Sequence, residues 1–340
     1  MARIKMLLTI SSATVLAFLA VRLADYLASA PAVHAGADTP THQEAMTRLD
    51  ADVSAWRARL HQYPNSWIEH ERVANVYVLR ARASGDWSDY ATADSLIAQA
   101  FEIARPGAGP FLSRARLNFT LHRFDRVEAD LALAESIPLT SSHVHGEIAA
   151  LRADLALETG RIDEAIAAYQ SMVGDARDLE SVIRLAGGYT RRGRPDDADR
   201  LYEEVSRRLP ASAARLRAWV NLQRGLLDLD TNRLDEALAH FRDADAALPG
   251  WWLIDEHIAE ATARLGQTER ALAMYMDILS RHEDPEFMDA VARIYRQRGN
   301  AAEAAKWIAK AKAGHAARLS MFPEAAAGHA QAHIEDFGAI

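Results

Sequence analysis

The chain has 340 residues, 49% of them hydrophobic and 25% charged, with a formal net charge of −8. An acidic chain repels nucleic acid and anionic lipid, which are gathered by clustered Lys and Arg, and only Lys5, Lys306, Lys310 and Lys312 are lysines. The absence of cysteine excludes disulfides, thiolate metal sites, cysteine nucleophiles and acylation on cysteine.

Abundant alanine, few glycines and no long alternating run of Val, Ile or Thr favour helix throughout. The first element is "MARIKMLLTISSATVLAFLAV", in which Arg3 and Lys5 precede an uncharged run from Met6 to Val21. A positive n-region before an apolar h-region reads as an export signal, and residues 1–35 are expected to be a signal peptide or an N-terminal membrane anchor. Val33 and Ala35 offer small residues for cleavage before Gly36, whereas retention would use residues 6–21 as the anchor. Either way the positive-inside rule leaves Arg3 and Lys5 in the cytoplasm and carries the body across the membrane, into the periplasm of a Gram-negative cell. Arg3, Lys5 and Arg22 against Asp25 put residues 1–35 at +2, so the exported body carries −10.

Residues 36–64 contain "THQEAMTRLDADVSAWRARLHQYP", a lone amphipathic helix that ends at Pro64 and is expected to cap the first full helix pair. Beyond it one ten-residue pattern recurs. "GRIDEAIAAY" begins at Gly160 and "NRLDEALAHF" at Asn232; related strings begin at His122, Gly193, Gly266 and Gly299, with a weaker copy at Ser88. Their sixth residues are Ala93, Val127, Ala165, Ala198, Ala237, Ala271 and Ala304, at intervals of 34, 38, 33, 39, 34 and 33 residues. A period near 34 marks stacked pairs of antiparallel helices. Two helices cross closely only where side chains are small, which explains Ala186, Gly225, Ala259 and Ala292 facing Ala198, Ala237, Ala271 and Ala304. One turn on, Tyr169, Tyr202, Phe241 and Tyr275 fill the groove between helices. Gly160, Gly193, Gly266 and Gly299 suit a left-handed helix end, and Pro210 and Pro249 stop second helices.

With Leu185, Ala186, Tyr189, Ala198, Tyr202 and Pro210 in one unit, and Gly225, Ala237, Phe241 and Pro249 in the next, the chain resembles the tetratricopeptide repeat family from about residue 65 to 313. The family's Trp position is mostly lost, being Val182, Asn221, Asp255 and Met288. The resemblance implies an all-α, right-handed solenoid of about seven helix pairs, with a C-terminal capping helix over residues 314–340. "PEAAAGHAQAHIEDFG" supplies that cap, with Ala326, Ala330, Ile334 and Phe337 expected on its buried face.

The resemblance also implies a concave wall of first helices that binds a protein or peptide segment. Alignment places Trp219, Leu222, Leu226, Glu256, Glu260, Arg293 and Arg296 on that wall as partner-binding residues, a mixture suited to an extended protein segment. The alternative function is a periplasmic metal-binding or metal-delivery role for His329, His333 and Asp336, spaced i, i+4 and i+7 on the last helix. "HVHGE", His143 to Glu147, is expected in a loop with Ser141 or Ser142 as a helix cap, and "RPGAGPF" is expected to be a turn. The sequence carries no Walker, zincin or Gly-x-Ser-x-Gly pattern, so no catalytic activity and no cofactor are expected. The expected function is a non-catalytic scaffold of the bacterial cell envelope.

Overall fold

The computed structural model describes residues 40–137, 141–174 and 178–340, so the expected signal or anchor lies outside the described residues. Among the described residues there are sixteen helices and no strand. They divide into two compact units, with the cut after Leu216. Before the cut lie α1 (His42–Gln62), α2 (Trp67–Ser84), α3 (Trp87–Ile103), α4 (Phe111–Thr120), α5 (Phe124–Glu135), α6 (Ser142–Glu158), α7 (Ile162–Val173), α8 (Leu179–Arg191) and α9 (Pro195–Arg208). The cut falls within α10 (Ala214–Asp230). The second unit continues through α11 (Leu234–Ala247), α12 (Trp252–Arg264), α13 (Thr268–Arg281), α14 (Pro285–Gln297), α15 (Ala301–Met321) and α16 (Pro323–Phe337). Within this order α2/α3 through α14/α15 are seven successive first-helix and second-helix pairs.

The recurring string is a helix end joined to a helix start. In the unit around Gly160, the Arg161 N–H donates to Ala156 O at 2.8 Å and the Gly160 N–H to Leu157 O at 3.2 Å. That pair of bonds closes the last turn of the first helix and needs a left-handed residue between them. The same two bonds recur around Gly193, Gly266 and Gly299, all with φ between 73° and 84° as at Gly160. His122 and Asn232 take the same place with φ of 56° and 60°. The weak first copy has a physical cause. There the left-handed residue is Gly85, closed by one bond to Ala81 O at 2.7 Å, and α3 starts a turn earlier relative to its crossing alanine.

A Cβ added at Gly266 would meet nothing within 4 Å, so the cost of a side chain there is purely conformational. Gly266→Ala is expected to lower unfolding free energy by about 1 kcal/mol, read as a fall in the urea midpoint with an unchanged slope. An unchanged midpoint would contradict the role given to this turn.

The seven crossing residues from Ala93 to Ala304 are all 0–2% exposed. The groove-filling rings of Tyr169, Tyr202, Phe241 and Tyr275 are likewise buried. Gly225 shows how tight the crossing is, since a Cβ there would stand 2.3 Å from the Phe241 ring. In the first unit Phe111, Ala115, Phe119, Val127, Leu131 and Ile148 form one continuous core. In the second, Ala259, Ala271, Tyr275, Ile278, Phe287 and Val291 form another.

Both ends carry the expected covers. α1 opens on a reciprocal cap in which Thr41 Oγ1 accepts from Glu44 N and Thr41 N donates to Glu44 Oε2 at 2.8 Å. It is tied to α2 through Arg59–Glu69 at 3.0 Å and Asp50–Arg80 at 3.0 Å. At the other end α15 runs to Met321, past the expected boundary at residue 313, and α16 alone is the cap. Its buried face includes Ala325, Ala326, Ala330 and His333, with Phe337 half-buried; of the residues expected there only Ile334 departs, at 37% exposed. "HVHGE" is corrected too: it forms the first turn of α6, capped by Ser141, because that cap starts the helix ahead of the histidines. "RPGAGPF" is a turn, with Gly107 and Gly109 at positive φ. Among the described residues no helix is long and apolar enough to cross a membrane.

Candidate functional site

First helices in a paired repeat turn one face toward the preceding and following first helices, and in the first unit those faces carry polar pairs. Between α2 and α4, Ser113 donates to Glu71 at 2.6 Å and Arg82 donates to Thr120 at 2.9 Å. Between α4 and α6, Arg116 pairs with Glu147 at 2.5 Å. Between α6 and α8, buried Arg184 meets buried Asp154 at 3.2 Å and also holds Glu180 at 2.5 Å. Asp154 accepts a further bond from Tyr169 at 2.7 Å, so a groove-filling ring of the repeat is wired into the same network. Burial pushes the Asp154 carboxyl upward, opposed by the Arg184 guanidinium and the Tyr169 hydroxyl. Buried ions persist only when paired in this way. These polar side chains therefore join consecutive first helices into a ladder.

In the second unit a buried polar cluster sits within one helix pair instead. On α12, His257 Nδ1 lies 3.0 Å from Glu256 and 3.4 Å from Glu260, and Tyr275 of α13 reaches Glu256 at 3.4 Å. Burial works against a charged imidazole, but the two carboxylates outweigh it and hold His257 up at about 10. Because the folded-state value is raised, the stabilisation is complete below about pH 6.5 and is lost as pH rises through 10. Unfolding free energy is expected to fall by on the order of 1 kcal/mol or more between pH 7 and 10, and His257→Gln to flatten that fall. Equal losses in both proteins would contradict the assignment.

Of the seven residues expected to meet a partner, four are buried. Trp219, Leu222 and Leu226 are 5%, 0% and 4% exposed, a correction to their expected position on an open wall. The reason is that α10 is enclosed nearly all round, with Leu216, Ala218, Val220, Leu227 and Leu229 buried as well. Glu256 is buried against His257, and Glu260 is held between His257 and Arg264, the latter at 3.8 Å. Arg293 pairs with Asp336 at 2.5 Å, and Arg296 donates to the Asp336 carbonyl at 2.8 Å while its guanidinium lies 5.1 Å from the centre of the Phe337 ring. These two arginines latch α16 onto α14, with Arg293 half-buried and Arg296 exposed.

The expected metal stripe on α16 is also redistributed. His329 Nδ1 faces Glu286 at 2.6 Å, Asp336 faces Arg293, and His333 Nδ1 faces Asp289 at 2.7 Å. Three residues in line on one helix thus meet three different partners on α14. His333 instead joins His315 of α15, whose Nε2 lies 2.9 Å from the other oxygen of Asp289. One turn lower, Arg318 pairs with Asp284 at 2.6 Å. Burial opposes the Asp284 charge, but Arg318 and His282 hold that carboxyl well below the usual range. Sequence reasoning missed His315, Glu286 and Asp284, and gave Asp289 no place beside the histidines. The one available signal was His315 itself, four residues after Ala311 on the alanine face of α15 that packs inward.

Yeast Tom70 has this architecture, with a TM-score of 0.54 over 96% of this chain and 71% of its own at 15% identity. The fold is a tetratricopeptide-type helical repeat. The crystal structure of MamA aligns over 49% of this chain and 96% of its own, with 18% identity and a TM-score of 0.41. A double mutant of MamA RS-1 aligns over 52% and 97%, with 14% identity and a TM-score of 0.42. No family model and no curated protein matches the chain.

Proposed function

We propose that the protein is a non-catalytic scaffold of the bacterial cell envelope that binds a protein or peptide segment. The observation that carries this is the ladder of first helices in the first unit, whose acids and arginines satisfy one another. A frame ordered before binding loses little entropy when a partner docks, which is what a binding surface built from repeats requires. Its non-catalytic character rests on the sequence, which lacks the usual nucleophile, metal and nucleotide motifs. The partner surface lies on the second helices, because solvent-open positions concentrate there: Ala132 and Leu133 on α5, and Ala273 and Met276 on α13. The envelope location rests on the sequence of residues 1–35, through release near Ala35 or retention by residues 6–21.

Two experiments test this. A C-terminal reporter active only after export is expected to be active, and N-terminal sequencing of the mature chain separates release from anchoring. A cytoplasmic reporter signal alone would overturn the location. Chemical cross-linking in living cells is expected to retain the same protein partner in repeated preparations. Failure to retain any would overturn the scaffold.

A further inference from the structure

Asp289, His315 and His333 come from three different helices and are each 1–2% exposed. The carboxylate oxygens stand 2.9 Å from His315 Nε2 and 2.7 Å from His333 Nδ1, and one ligand atom from each of the three residues lies within 4.8 Å of the others. The two imidazole centres are 5.1 Å apart at an interplanar angle of 49°, so the rings converge on the carboxylate from different directions.

We propose that Asp289, His315 and His333 form a binding site for one divalent transition-metal ion of the zinc type. Two imidazoles and one carboxylate are a three-ligand set that such ions accept, with a fourth position left for water or a ligand from outside. The spacing fits, since donors bonded to one ion at ~2.1 Å stand roughly 3 Å from one another. The neighbouring acids of α14 are neutralised differently: Asp284 takes Arg318, and Glu286 takes His329 with Arg318 at 3.6 Å. Asp289 instead has two imidazoles converging on it, groups that bind metal in their neutral form. The Phe337 ring, 5.4 Å from that of His333, covers one side and limits water, as the apolar shell of a metal centre does. The ion would bridge α14, α15 and α16, so binding would pin the cap to the last helix pair. This goes beyond the scaffold reading and does not depend on it.

The test uses the untagged chain, stripped with a chelator and dialysed against Zn2+, Co2+ and Ni2+ in turn. One equivalent per chain is expected for Zn2+, with a melting temperature raised by about 5 °C or more at saturating metal. Visible absorption of the Co2+ form is expected to report a low-symmetry nitrogen and oxygen site. His315→Gln and Asp289→Asn are each expected to weaken Zn2+ binding by about 100-fold while helicity is kept, and His329→Gln to leave it unchanged. Should either of the first two fail to fold, the wild-type stoichiometry and the His329→Gln comparison still decide. Retention of no metal at micromolar Zn2+, or loss of binding in His329→Gln, would overturn the site and leave the trio as a hydrogen-bonded clamp.

Discussion

Ala271→Trp is expected to abolish cooperative unfolding of the second unit. Ala271 is fully buried at the helix crossing and shares its core with Ala259, Tyr275, Ile278 and Val291. An indole has no space there, so α12 and α13 must separate. Overpacking by a few methylenes already costs about 1–3 kcal/mol, and a Trp for Ala exchange should lie at or above the upper end. Ala237→Trp is expected to act likewise, because Ala237 is buried on α11, whose Phe241 stands so close to Gly225. Circular dichroism is expected to show reduced helicity and a broad melt. A sharp transition near the wild-type temperature would show that the crossings can loosen to admit an indole.

Trp219→Asp and Leu222→Asp are expected to be as severe. On an exposed binding wall these exchanges would spare the fold and remove only the partner. Both side chains are instead enclosed, so each exchange removes a large apolar group and buries a carboxylate without a partner. Core truncation alone costs about 2–5 kcal/mol, and the stranded charge adds to it. The expected result is a melting temperature lowered by about ten degrees or more, or insoluble protein. A stable, soluble double variant would mean that α10 is open to solvent.

These two expectations separate what the sequence made legible from what it did not. The string at Gly160 and Asn232 encodes a local event, a helix end with one left-handed residue and the start of the next helix, and local events repeat with the sequence. The crossing alanines were legible for the same reason, since a small residue at a fixed distance from the turn has one geometric use. Exposure of the first helices was not legible. Whether Leu222 meets water depends on how neighbouring helices close around α10, and a single pair's pattern does not contain that information. The C-terminal histidines show the same limit. The i, i+4 spacing of His329 and His333 identified a helix face, yet the partner of each is set by α14 and α15. Asp289 and His315 lie 44 and 18 residues from His333 in the chain, and only the packing of three helices brings them together.

The proposed scaffold meets its partner through second helices, while its first helices are occupied by the chain's own contacts. Site-specific photo-cross-linking in living cells tests it most directly, with the reactive amino acid placed singly at Ala132 and Ala273 on second helices, and at Glu260 and Arg296 on first helices. The expected result is one reproducible protein adduct from Ala132 or Ala273 and none from Glu260 or Arg296. Adducts from Glu260 and Arg296 alone, or none from any position, would contradict it.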